Sequence, residues 1–328
     1  MQPYDTSTAL PYYRLADSAH RHTVGAKPLR EAPIIEIDQA AYAEEVALKQ
    51  ALLERDRDYC CQTPPDTAAA QWETLALIVE DLAAQHPADF TLHRSGATWN
   101  FTNRLLGQTA SFRFGDTSTL PCAPLDWVGR QVQEDLLLLA PCGGDGGCQA
   151  DTSGAAPTVD YRLAGGQLCF PNRWSLGEKL GLSFLAIHEP VPGFAEEIGQ
   201  ASNLLLARLK PGRPVWRYNW TLTVGGELDL STRVYGDLYA RAAAVTPANC
   251  GATCYLRAER QVLAKLPQSG AVLFTIHTYR TPLADLVGDV LWARRFVEVL
   301  DAAAPPLLVY KGVARVEASL RAYLSQYV

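Results

Sequence analysis

The chain has 328 residues, 48% of them hydrophobic, with 35 acidic against 29 basic side chains and a formal charge of -6. That is enough apolar content for a substantial core, and an acidic balance without any Lys/Arg-rich block excludes a general polyanion-binding role, so nucleic acid is not an expected partner. The amino terminus lacks a basic start followed by an apolar core, and no stretch approaches the roughly eighteen apolar residues that span a bilayer, so a cytoplasmic protein without a membrane partner is expected.

Residues 1–30 show no periodicity and read as an N-terminal arm, and residues 31–328 read as a single domain. Gln39 to Arg55 is predicted helical, with Tyr42, Val46 and Leu53 on one face that Lys49 interrupts. Thr67 to Ala84 is a second helix, through Trp72, Leu75, Ile78, Val79 and Leu82. Alternation from Phe90 to Leu106 around Ser95-Gly96, continued from Ala110 to Phe114, predicts a small antiparallel sheet. Trp127 to Leu139 is predicted helical, residues 142–154 form a Gly-rich loop, and Val159–Leu163 with Gln167–Phe170 predict a hairpin turned at Gly165-Gly166.

The next stretch carries the most chemistry. Ser175 and Glu178 form a capping-box pattern, so a helix is predicted from Leu176, with Leu180, Phe184 and Ile187 at helical spacing. His188 borders that apolar face, and Pro190 and Pro192 end the helix just beyond it. A neutral imidazole at a rigid helix end suits a transition metal, although a lone histidine in such a place is more often a hydrogen-bonded core residue. A further helix is predicted from Phe194 to Leu209, then three strands. Alternation places Arg217, Asn219 and Thr221 on one face of Val215–Val224, and Trp216, Tyr218 and Trp220 on the other. It groups Arg257, Glu259 and Gln261 on Tyr255–Leu263, and Thr275, His277 and Tyr279 on Ala271–Arg280. A helical tail follows, broken at Pro305-Pro306.

The order of elements is α+β, with the last three strands able to pair as an antiparallel meander and helical additions at both ends. No phosphate loop, dinucleotide fingerprint, Gly-x-Ser-x-Gly elbow or His-Glu-x-x-His helix is present. Eight cysteines include the pairs Cys142/Cys148 and Cys250/Cys254, whose spacing leaves free thiols, disulfides and a zinc site all open. Arg173, Lys179, Arg217, Arg257 and Arg260 are candidates for carboxylate partners, a ligand's or the protein's own.

Several blocks together carry a family resemblance: Leu125-Asp-Trp-Val-Gly-Arg-Gln-Val-Gln-Glu-Asp135, Phe170-Pro-Asn-Arg-Trp-Ser-Leu-Gly-Glu-Lys179, Ile187-His-Glu-Pro-Val-Pro-Gly193, Val215-Trp-Arg-Tyr-Asn-Trp220, Arg257-Ala-Glu-Arg-Gln261, Leu266-Pro-Gln-Ser-Gly-Ala-Val-Leu-Phe-Thr-Ile276 and Tyr310-Lys-Gly312. In these blocks and their order the chain resembles the haem-dependent oxidative N-demethylase α subunits, from about residue 30 to its end. The resemblance implies haem b in a PAS-like antiparallel sheet with flanking helices. His188 would be the iron ligand, Arg173 and Lys179 would meet the propionates, and Trp174 would line the cofactor.

It further implies an oxidase or monooxygenase that uses dioxygen on a small amine, dimethylamine in the family's characterised reaction. Electrons would come from a separate reductase or ferredoxin, since this chain has no flavin or iron-sulfur motif. Arg217, Asn219, Arg257, Glu259, His277 and Tyr279 would then polarise oxygen or orient substrate. One departure stands out: the family's Phe-Thr-Ile strand is usually followed by arginine, and here by His277. The alternative for the same fold is a haem-based gas or redox sensor without turnover.

Overall fold

In the computed structural model of the chain, residues 24–142 and 160–328 are described. Ten strands lie among them: β1 (Lys27–Pro28), β2 (Cys61–Gln62), β3 (Phe90–Ser95), β4 (Thr98–Asn103), β5 (Gln108–Arg113), β6 (Asp135–Pro141), β7 (Tyr161–Gln167), β8 (Val215–Val224), β9 (Cys254–Lys265) and β10 (Val272–Pro282). They form a three-stranded sheet, β3-β4-β5, and a seven-stranded antiparallel sheet of order β1-β8-β9-β10-β6-β7-β2. With helices before, between and after the strands, the protein is mixed α+β, as expected. The end of the expected arm is itself an edge strand, since Lys27–Pro28 pairs with β8; residues 1–23 lie outside the described residues.

The two N-terminal helices run Tyr42–Arg55 and Ala68–Gln85. Lys49, which interrupts the first apolar face, is buried because its ammonium donates to the carbonyls of Gly129 (2.8 Å), Val132 (3.1 Å) and Glu134 (2.6 Å). Those three carbonyls belong to the bend between the helix Pro124–Gly129 and β6. The expected helix Trp127–Leu139 is thus corrected to a short helix and a central strand. Four consecutive buried leucines, Leu136 to Leu139, read as one apolar run because β6 is covered on both faces. Each such side chain contributes about 2 kcal/mol of transfer free energy.

The expected hairpin at Gly165-Gly166 is also corrected: β7 runs straight through it. A side chain at Gly166 would strike the Leu136 carbonyl at 2.7 Å and one at Gly165 the Gln62 carbonyl at 2.9 Å. These glycines permit close strand approach beside a register shift at Leu138/Leu139, and do not turn the chain.

Register fixes what each face carries. Leu137, Leu139, Leu263, Val272 and Ile276 share one face and pack with Leu176 and Leu206 of the intervening helical layer. Leu136, Leu138, Val262 and Leu273 share the opposite face and pack on the N-terminal helices and the small sheet. Beside them on that second face, Trp220, Leu222 and Leu256 pack on the C-terminal helices Val290–Ala302 and Glu317–Leu324. No helix of the described residues is long and apolar enough to cross a membrane.

Candidate functional site

The run from Ser175 to His188 is two short helices rather than one, Leu176–Lys179 and Phe184–His188. Gly181 breaks it, at φ 82°, where its amide bonds the Leu163 carbonyl of β7 at 2.7 Å. Ser183 then caps the second helix by accepting from the Ala186 amide at 3.2 Å. This lays the second helix against the sheet face that bears Leu137 and Ile276, with Phe184 and Ile187 on its packed side.

His188 Nδ1 lies 2.8 Å from the Phe184 carbonyl. A carbonyl only accepts, so Nδ1 carries the proton and Nε2 carries the lone pair. The ring stacks on Phe194 at 4.3 Å and 11°. Burial pushes its pKa down to about 4 against the pull of the Phe184 bond, and the cations Lys179 and Arg217 press it further the same way. The imidazole is therefore neutral, oriented and short of a partner at Nε2. It also keeps accessible surface although protein surrounds it, and its helix has no fully buried residue. The space between this ring and the sheet is the candidate site, called the cleft below.

The sheet forms the opposite wall. Pairing sets Arg217 across from Gln261, Asn219 across from Glu259, and Thr221 across from Arg257, all on the cleft face. Glu259 accepts from Asn219 Nδ2 at 3.3 Å and Gln261 Nε2 at 3.0 Å. Arg217 Nε is buried and has no hydrogen-bond partner. Lys311 joins this wall, donating to Asn219 Oδ1 at 2.8 Å and to the Trp220 carbonyl at 3.0 Å. Burial, with Arg217 and Arg173 nearby, lowers its pKa to about 8, while Glu259 opposes the shift. Arg173 donates to the Tyr310 carbonyl and lies over the Tyr310 ring. Glu259 thus acts electrostatically on both Arg217 and Lys311, and pairs directly with Arg257 at 3.4 Å.

Lys311 and Tyr310 were not among the residues assigned from sequence. Their signal is Tyr310-Lys-Gly312 itself: Gly312, at φ 79°, has no room for a side chain against the Leu222 carbonyl. The Lys311 carbonyl accepts from the Leu222 amide at 2.8 Å, so the tail lies on β8 and delivers its lysine to the cleft.

Lys179 donates to the Ile187 carbonyl at 3.1 Å and sits over the Trp174 ring at 4.7 Å, which brings both to the C-terminal end of the histidine helix. Arg257 has a different setting. It is fully buried and donates to the carbonyls of Phe170 and Leu228, to Thr278 Oγ1 and to Glu259. Asp135, its pKa raised by burial to about 6, accepts the amides of Cys169 (2.7 Å) and Phe170 (2.9 Å). Arg257 and Asp135 therefore fasten the start of the Phe170–Trp174 run from both sides, and the Arg257 donors are occupied in doing so.

His277 and Tyr279 do not share the cleft. Glu259 pairs with Thr278, so the residues on either side of Thr278 point through the sheet to the opposite face. There His277 Nδ1 meets Glu134 Oε1 at 3.0 Å, its ring stacks on Tyr279 at 4.4 Å, and the Tyr279 hydroxyl donates to Glu36. The expectation that these two residues join Arg217, Asn219 and Glu259 around one site is corrected by this register. Cys250 and Cys254 are buried free thiols, and Cys148 lies outside the described residues. Among the described residues no group of three or more His, Cys, Asp or Glu side chains is placed to hold a metal ion.

The fold is α+β, and on one face of its large sheet a neutral imidazole from the helical layer stands near a cluster of cations. The model of the family described as haem-dependent oxidative N-demethylase, alpha subunit-like, matches residues 25–321, and the chain belongs to that family. The family name implies haem, and the cleft residues fit it. An imidazole with Nδ1 tied to a carbonyl would suit an iron ligand through Nε2, and the Arg217 guanidinium would suit a propionate carboxylate.

Proposed function

We propose that this protein is a haem-dependent oxidase of small amines that removes an N-methyl group with dioxygen, holding haem b between the histidine helix and the sheet of a PAS-like domain. The observation that carries the reading is His188: neutral, partly exposed, with Nδ1 committed to the Phe184 carbonyl and no protein partner at Nε2. Haem, when bound, would supply a redox-active iron for the oxygen chemistry, relaying electrons that it receives from an external donor.

The chain supplies the rest. The Phe184 carbonyl and the Phe194 ring hold the imidazole in one tautomer and one orientation. Arg217 and Lys311, with Arg173 beside them and Lys179 at the helix end, offer a cationic surround for propionate carboxylates. Glu259 is kept in place by Asn219 and Gln261 and balances part of that charge. Electrons would arrive from a separate reductase or ferredoxin.

The test is the visible absorption spectrum of the purified, haem-supplemented protein beside His188→Ala. The expected result is a Soret band in the wild type whose position and intensity change in the variant. A band that the substitution leaves untouched removes His188 as ligand, and no band in the wild type removes the haem reading. With haem in place, formaldehyde release from methylated amines in the presence of reductant and oxygen separates an oxidase from a gas sensor.

A further inference from the structure

The row of side chains on the cleft face of β8 runs on from Arg217 through Asn219 and Thr221 to Thr223. Extended strand puts Thr223 roughly 20 Å from Arg217, the residue of this row whose charge acts on His188. At this far end lies a cavity of about 210 Å³. Its walls come from the end of β8, the stretch between Leu230 and Ala242, the tail around Gly312, and Asn172 with Arg173.

Arg173 is held there in a costly conformation. Among the described residues it is the one non-glycine at positive φ, 64°, a backbone state that strains any residue with a Cβ and that recurs at ligand clamps. Bonds on either side fix it: the Arg173 amide donates to the Leu230 carbonyl at 2.7 Å, and Asn172 Nδ2 donates to Thr221 Oγ1 at 2.9 Å. The guanidinium donates to the Tyr310 carbonyl and lies 5.8 Å from the Tyr235 ring and 5.5 Å from the Tyr310 ring. It pairs with no carboxylate of the described residues.

The lining has two characters. It includes the guanidinium side chains of Arg173 and Arg315 and no carboxylate, whereas Leu222, Leu230 and Ala242 give it a buried apolar wall. Such charge repels an ammonium group, so this is not a second amine site. A bare inorganic anion would gain nothing from the apolar wall. The volume is below that of drug-sized pockets and suits a single ring or a short chain.

We infer that this cavity binds a small organic carboxylate, with the carboxylate on the Arg173 fork and the apolar body against Leu222, Leu230 and Ala242. Nothing in that lining requires haem, and an occupant would also touch Gly312, next to Lys311.

The experiment is calorimetric titration of the full chain, haem-supplemented and haem-free, with sodium benzoate, sodium butyrate, benzamide and sodium phosphate at low ionic strength. At least one carboxylate is expected to bind about tenfold more tightly than benzamide or phosphate, in both preparations. Arg173→Asn, whose side chain tolerates the left-handed backbone, is expected to lose that preference with its melting temperature little changed. Ala314→Trp, on the exposed rim, is expected to weaken carboxylate binding by a similar factor by closing the mouth. No binding of either carboxylate up to on the order of 10 mM, equal affinity for benzamide or phosphate, or an unaltered preference in Arg173→Asn would each overturn the inference. So would binding confined to the haem-free protein, which would make Arg173 a propionate seat instead. If Arg173→Asn does not fold, Ala314→Trp decides, since unchanged carboxylate affinity there places the binding elsewhere.

Discussion

Two imidazoles stand on opposite faces of one sheet, one partly exposed and one sealed, and almost every property of their surroundings is reversed. His188 rests on the cleft side with a carbonyl at one nitrogen, cations nearby and a lowered pKa. His277 is sealed on the other side. Burial alone would lower its pKa, but the Glu134 carboxylate, with Glu36 and Glu45 behind it, more than compensates and raises it. Glu134 Oε1 also accepts the Glu36 amide at 2.9 Å, and Arg260 pairs with Glu36 at 3.1 Å, so the second imidazole belongs to the lock that holds residues 33–38 on the sheet. The contrast separates a histidine that completes the fold from one that the fold leaves available.

The strongest way to break the comparison is His277→Leu. It leaves the Glu134 carboxylate buried without its counter-charge, and a loss of about 3–5 kcal/mol in denaturant unfolding is expected, with haem uptake per folded molecule unchanged. A stable variant that loses haem would place His277 in the working site after all. Next is Gly312→Ala, where a methyl group collides with the Leu222 carbonyl at a left-handed backbone angle. About 1–3 kcal/mol of destabilisation and weaker haem retention are expected together, because Lys311 moves with its neighbour.

A pH series sharpens the same point. A raised imidazole pKa means that the His277–Glu134 stabilisation is complete below the ordinary value of 6.5 and is lost as pH rises through the higher folded value. The unfolding free energy should fall on the alkaline side of pH 6.5, and His277→Gln should flatten that slope. The smallest expected effect on stability is that of His188→Ala, about 1 kcal/mol or less without haem, since the residue is only partly buried and Nε2 has no protein partner. A large loss there would show that the residue is structural.

Much of this was legible in the sequence. Strict alternation located β8, β9 and β10, because each carries polar and apolar side chains on separate faces. It failed for β6, whose leucines are buried on both sides and keep no period, and for β7, where paired glycines imitate a turn. Alternation also stated correctly that Thr275, His277 and Tyr279 share a face. What it could not contain was the pairing of Glu259 with Thr278, a fact of two strands at once, which moves His277 from the cleft to the reverse side. The family blocks located His188 and the Tyr310-Lys-Gly312 segment. The use of Lys311 emerged only when the tail was seen lying against Leu222.

The order of the large sheet ends on β1 and β2, and each of these strands is two residues long. One includes Pro28, which has no amide hydrogen to offer a further strand. A foreign chain therefore finds little template for extending the sheet sideways. A partner protein would have to settle on side chains, and on the short helix that carries His188 one apolar side chain, Leu185, stands exposed.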